Sequence, residues 1–326
     1  MATVGVIGAG AVGCYYGALL ARAGHDVRFL MRRDLAAVRE AGLQVRSHEG
    51  DFELAAVAAF GTPEEIGPVD WLICSLKTTA LEGARPLLAP CVGEGTRIVA
   101  LMNGLGLEER LGAWFGRERV FGAMAFVCIN RGAPGVVHHL KYGRVSIGHL
   151  LDDAAESAAL AELLRSGGVD VVVAPNLRHA RWEKLCWNIP FNGLSVAGGG
   201  IGTEAIVRDR LLRGMAERTM REVIAAGNRD LEVLGSEARL DPGDIVQRMF
   251  ALTDSMGDYQ TSMAIDYVLG RELEVETILG EPSRRAAALG VQTPAIDALY
   301  ALVRTADLRR RGLIATIREN EAGGVA

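Results

Sequence analysis

The chain has 326 residues, 49% of them apolar, with 35 basic and 40 acidic side chains and a formal net charge of −5. That is globular composition, which excludes a disordered polyelectrolyte, and the length predicts two domains at about 100 to 200 residues each. Without a basic excess, neither nucleic acid nor an anionic membrane surface is an expected partner.

In chain order, Val4 to Ile7 reads as a strand, Ala11 to Ala23 as a helix and Asp26 to Met31 as a second strand. Trp71 to Leu76, Arg97 to Met102 and Arg119 to Ile129 follow as further strands. Strands alternating with helices predict a parallel sheet with crossover helices, a Rossmann-type α/β domain. From Gly135 to Gly148 the pattern predicts a hairpin turning at Tyr142-Gly143-Arg144, then a helix from Ala154 to Ser166 and a last strand from Val169 to Ala174. After Pro175 the apolar residues recur with helical period in Leu177 to Val196, Glu204 to Leu234, Pro242 to Ser255, Thr261 to Leu269, Glu274 to Leu289 and Pro294 to Arg310. The expected organisation is therefore a Rossmann-type domain over residues 1–175 and an all-α domain over residues 176–326. Glu319 to Ala326 are expected to fray.

Cysteines 14, 74, 91, 128 and 186 form no CxxC pair, which argues against structural zinc and a disulfide framework. No basic leader precedes the first strand, and no run of about 18 apolar residues follows. The expected setting is a reducing cytoplasm, with no metal.

Gly8-Ala9-Gly10-Ala11-Val12-Gly13 fits GxGxxG between a strand and a helix. In that setting Gly8 permits the tight turn, Gly10 the approach of a pyrophosphate, and Gly13 the packing of helix on strand, with the anion at the helix N-terminus. An NAD-type site wants an acid at the end of the second strand. Here Arg32 and Arg33 stand there, while Asp26 opens the strand and Asp34 follows the arginines. Guanidinium suits a 2'-phosphate, so the residues favour NADP over NAD; the plainer alternative is a solvated arginine pair.

Ligands of open α/β sheets sit beyond the carboxyl ends of strands, which nominates Lys77 and Asn103-Gly104. In the helical half, Lys184, Asn188 and Asn192 fall at i, i+4 and i+8 on one stripe, facing either water or a polar cleft. Pro190 lies inside this helix and should kink it. Ser262 and Glu274 stand twelve apart across a break at Gly270-Arg271. The histidines lack an orienting acid, so no histidine base or Ser-His-Asp triad is expected.

These residues resemble the ketopantoate reductase family over nearly the whole chain. The resemblance rests on GAGAVG, Leu76-Lys77-Thr78, Asn103-Gly104, the WxKLxxNxxxN helix from Trp182 to Asn192, Thr261-Ser262-Met263, Arg271-x-x-Glu274 and Gly290-Val291-Gln292-Thr293-Pro294. Met102 stands where the family often has glutamine. The resemblance implies NADPH-dependent reduction of 2-dehydropantoate to (R)-pantoate for pantothenate and coenzyme A, in a cleft between the domains. It implies Lys184 as general acid while hydride reaches C2, with Asn103 and Ser262 on the substrate carboxylate and Asn188, Asn192 and Glu274 at its hydroxyl. Lys77 would lie near the cofactor and carboxylate, and Arg32 on the 2'-phosphate. The same constellation would serve another small 2-keto or hydroxy acid, and a non-catalytic NADP-binding sensor is the rival of another class. The oligomeric state stays open, a homodimer among the options.

Overall fold

A computed structural model describes residues 1–314, so the expectation for Glu319 to Ala326 lies outside the described residues. The chain divides into two compact units, the first ending at Ala180 and the second beginning at Arg181.

In the first unit ten strands form one sheet: β1 (Thr3–Ile7), β2 (Asp26–Leu30), β3 (Leu43–Ser47), β4 (Phe52–Leu54), β5 (Ala58–Phe60), β6 (Val69–Cys74), β7 (Val92–Leu101), β8 (Val120–Arg131), β9 (Val136–His149) and β10 (Val171–Val173). Their order is β4-β3-β9-β8-β7-β6-β1-β2-β5, with β10 beside β9. From β8 through β5 every neighbouring pair is parallel, as the strand-helix alternation predicts. β1 is an interior strand, with β2 on one side and β6 on the other. The chain thus reverses its direction of travel across the sheet at β1, where such folds open a crevice.

β1 is buried almost throughout because both faces are covered, which is why it reads as a continuous apolar run. Val4 and Val6 join Tyr16, Leu20 and Phe29 on one face, and Ile7 joins Leu72, Ile98 and Leu111 on the other.

Three sequence expectations need correction. The hairpin that joins β8 to β9 turns at Ala133-Pro134-Gly135, not at Tyr142: Val136 N–H donates to the Ala133 carbonyl at 2.9 Å and Gly132 N–H to that of Val136 at 3.0 Å. Tyr142 (φ 67°) and Gly143 (φ 136°) are instead a bulge inside β9, where the register with β8 shifts. The bulge carbonyls are satisfied by His139 Nε2, which donates to Tyr142 at 2.8 Å, and by the Tyr16 hydroxyl, which donates to Gly143 at 3.1 Å.

Second, the stretch Glu204 to Leu234 is two helices, Thr203–Arg208 and Arg210–Val233, because Asp209 between them accepts from Leu211 and Leu212 N–H as an N-cap. Third, the stretch from Glu274 begins as a π-helical turn, Glu276–Gly280, before the α-helix Glu281–Ala288. Pro282 has no N–H to return to the Ile278 carbonyl, which favours the wider turn.

The other helices of the second unit are Pro242–Asp254, Ser262–Val268 and Pro294–Arg310, together with most of Leu177–Ala197. Beyond β10 there is no strand among the described residues. No helix among them is long and apolar enough to cross a membrane.

Candidate active site

The three motif glycines meet three different surroundings. Gly8 has φ 101°, and a Cβ there would lie 2.5 Å from Leu76 N. A Cβ on Gly13 would lie 2.3 Å from Ser75 Oγ and 2.5 Å from the Gly8 carbonyl oxygen. One on Gly10 would meet nothing nearer than 3.9 Å. Gly8 and Gly13 are therefore demanded by the protein's own packing, whereas the room over Gly10 suits an incoming group. Gly10 caps the helix Ala11–Arg22 without any side-chain hydrogen bond. The first-turn N–H groups of Ala11, Val12 and Gly13 have no intrahelical partners, and all three features fit a dinucleotide pyrophosphate.

Ser75, which sequence reasoning missed, fastens this turn. Its N–H donates to the Ile7 carbonyl at 2.8 Å and its hydroxyl to that of Gly8 at 2.9 Å. A serine two residues before Lys77 carries no signal by itself, since its partner is sixty-seven positions away in the chain.

At the same sheet edge the ends of β2, β6 and β7 carry Arg32, Lys77 and Asn103. Arg32 and Lys77 are exposed and Asn103 is half-buried. Met102 is buried in the apolar cluster, accepting from the Cys74 thiol at 3.9 Å. Of the two carboxylates that flank Arg32 in sequence, Asp26, at the opposite end of β2, pairs with Arg28 at 2.7 Å, and Asp34 pairs with Arg131.

In the second unit the helix Leu177–Ala197 runs unbroken through Pro190. Two tryptophans fix its rotation: Trp182 Nε1 donates to Asp230 Oδ2 at 2.8 Å and Trp187 Nε1 to Thr253 Oγ1 at 3.0 Å. Gly227 lets that helix approach closely, since a Cβ there would lie 2.9 Å from the Trp182 ring.

This rotation sets Lys184 among protein atoms. The residue keeps some exposed surface along its length, but its ammonium is enclosed. Burial, then the positive charge of Arg181, bring its pKa down from 10.5 to about 7, against the opposing pull of Glu274. Glu274 is half-buried just ahead of the π turn. The stripe beyond Lys184 faces protein rather than water: Asn188 is 7% exposed and Asn192 2%, and Asn192 Oδ1 has no hydrogen-bond partner.

Ser262 lies outside this buried group, exposed at the first position of its helix, while Thr261 accepts from Ala264 N–H as the cap. Sequence reasoning missed Arg181, 2% exposed, and Ser195, whose buried hydroxyl lacks a partner one turn past Asn192. The i+3 spacing from Asn192 to Ser195 was the available signal.

Comparison with known proteins gives two family matches, Ketopantoate reductase PanE/ApbA over residues 4–152 and Ketopantoate reductase PanE/ApbA C terminal over residues 176–307. A 2-dehydropantoate 2-reductase of Nostoc sp. is 35% identical over 312 residues, spanning 94% of this chain and 95% of the relative. The crystal structure of 2-dehydropantoate 2-reductase from Geobacter metallireducens superposes with a TM-score of 0.89 at 43% identity, covering 93% of this chain and 99% of that one. That of the enzyme from Methylococcus capsulatus gives 0.85 at 32% identity, covering 94% and 97%.

Proposed function

Because the chain belongs to the ketopantoate reductase family, and so is an oxidoreductase acting on a CH–OH group, we propose that it reduces 2-dehydropantoate to (R)-pantoate with NADPH, on the route to pantothenate and coenzyme A. The observation that carries this reading is the enclosed Lys184, whose ammonium feels the charges of both Arg181 and Glu274. An ammonium poised near neutral pH both stabilises a developing alkoxide and gives up its proton.

In this reading Lys184 Nζ donates a proton to the carbonyl oxygen, and Glu274 holds the ammonium and meets the substrate hydroxyl. Asn103 and Ser262 take the carboxylate, and Asn188 and Asn192 the hydroxyl. Gly8, Gly10, Ala11, Val12 and Gly13 cradle the pyrophosphate, Arg32 takes the 2'-phosphate, and Lys77 and Asn103 lie near the nicotinamide end. When bound, NADPH supplies the hydride for C2.

The test is the initial rate of NADPH oxidation with 2-dehydropantoate, beside pyruvate, 2-oxoisovalerate and an NADH control. NADPH-selective turnover of 2-dehydropantoate is expected; faster turnover of another keto acid would replace the substrate, and equal use of NADH would remove the cofactor preference. Arg32→Ala should weaken NADPH and spare NADH, and equal loss of both would take the 2'-phosphate away from that arginine.

A further inference from the structure

Asp34 occupies the N-cap position before the helix Leu35–Ala41, yet its side chain makes no cap hydrogen bond. Asp153, Asp209 and Asp241 hold the same position before their own helices, and each accepts from at least one backbone N–H there. Those three have extended backbones (ψ 117°, 124° and 119°), whereas Asp34 has ψ 4°, a conformation that does not bring its carboxylate onto the first-turn N–H groups. Its carboxylate goes instead to Nη2 of Arg131, the last residue of β8.

The pair is built into the nucleotide end of the first unit. Asp34 lies two residues beyond Arg32, and its side chain keeps 16% of its surface. Cys14, on the helix that leaves the glycine turn, has its pKa raised chiefly by burial, and it also feels the charges of both Arg131 and Asp34. Ion pair, helix and strand end therefore share one corner.

We propose that Arg131 is a cofactor-selectivity residue, which withdraws the Asp34 carboxylate from a ribose 2'-hydroxyl and joins Arg32 in receiving a 2'-phosphate. A bare carboxylate past the second strand would accept from the hydroxyl and repel the phosphate. Pairing cancels both effects. An arginine has five N–H donors, so the contact through Nη2 does not exhaust it, and its planar fork suits phosphate oxygens.

This inference rests on the NADPH reading, and the test separates the two. Dissociation constants for NADP+ and NAD+ are measured by calorimetry on the full chain, together with the thermal unfolding of each variant. Wild type should prefer NADP+. Arg131→Ala should weaken NADP+ at least about tenfold, the scale of one charge-assisted hydrogen bond, and tighten NAD+. Asp34→Asn should tighten NADP+, and the double variant should lose the NAD+ gain.

Equal weakening of both dinucleotides in Arg131→Ala, or an NAD+ gain that survives in the double variant, overturns the proposal. Should Arg131→Ala fail to fold, Arg131→Gln supplies the same comparison with a neutral side chain of similar reach. Wild type that binds NAD+ as tightly as NADP+ defeats the NADPH reading and this inference with it.

Discussion

A proton donor works best when its pKa lies near the pH of use, and for Lys184 burial and two charged side chains act on that value. Burial and Arg181 push it down, and Glu274 pulls it back up, to about 7. If Lys184 is the acid, Lys184→Ala lowers kcat by about 10² or more, and an unchanged kcat removes it from that role. In the wild type kcat for reduction should fall as pH rises above about 7, where the ammonium is lost. Glu274→Gln removes a negative charge that raises this pKa, so the fall should move to lower pH. A profile that stays in place in that variant would show that Glu274 does not hold the ammonium. Lys184 itself was legible in the sequence through its stripe with Asn188 and Asn192. Arg181 was not, because a charged residue three positions before a lysine reads as solvated surface until packing buries it.

The glycine turn separates what folding demands from what a ligand demands. Gly13→Ala puts a Cβ against the backbone oxygen of Gly8 at 2.5 Å, so it should destabilise the protein by about 1–3 kcal/mol, the usual effect of overpacking. Gly10 has φ −81°, which alanine adopts freely, and open space beyond it. Gly10→Ala should therefore leave the melting temperature nearly unchanged while weakening dinucleotide binding at least about tenfold by keeping the pyrophosphate off the backbone. Thermal unfolding and calorimetry on the two variants check this, and a loss of stability in Gly10→Ala equal to that in Gly13→Ala would dissolve the distinction. The same element shows how much of the fold the sequence carried. β1, β6 and β7 are interior strands buried on both faces, so their apolar runs announce them. β3, β4 and β5 escaped notice: two have three residues each, and β3 mixes Gln44 and Arg46 with its buried Leu43 and Val45. The misplaced hairpin has a similar cause, since Tyr142-Gly143 and Pro134-Gly135 both look like turns and long-range pairing with β8 decides between them.

At the scale of the whole molecule, an enclosed lysine whose pKa is brought near neutrality is a burden on folding, and proton linkage gives its sign. The folded pKa of Lys184 is about 7, against 10.5 for a solvated lysine. Below pH of about 7 the group is charged in both the folded and the unfolded chain, and the full cost of enclosing the charge is present. Between those two values the folded form is neutral while the unfolded form is protonated. Unfolding then takes up a proton, and this group's contribution to stability rises with pH. Above 10.5 the group is neutral in both states and the cost is gone. Lys184→Met removes the charge at nearly constant volume, so it should be more stable than wild type at pH 7 and below. That advantage should shrink steadily as the pH approaches 10. Denaturant unfolding of both proteins across the range measures it, and the other titrating groups, common to both chains, largely cancel in the difference. A difference independent of pH would mean that the ammonium is solvated in the folded protein, and the case for Lys184 as a proton donor near neutral pH would lose its physical basis.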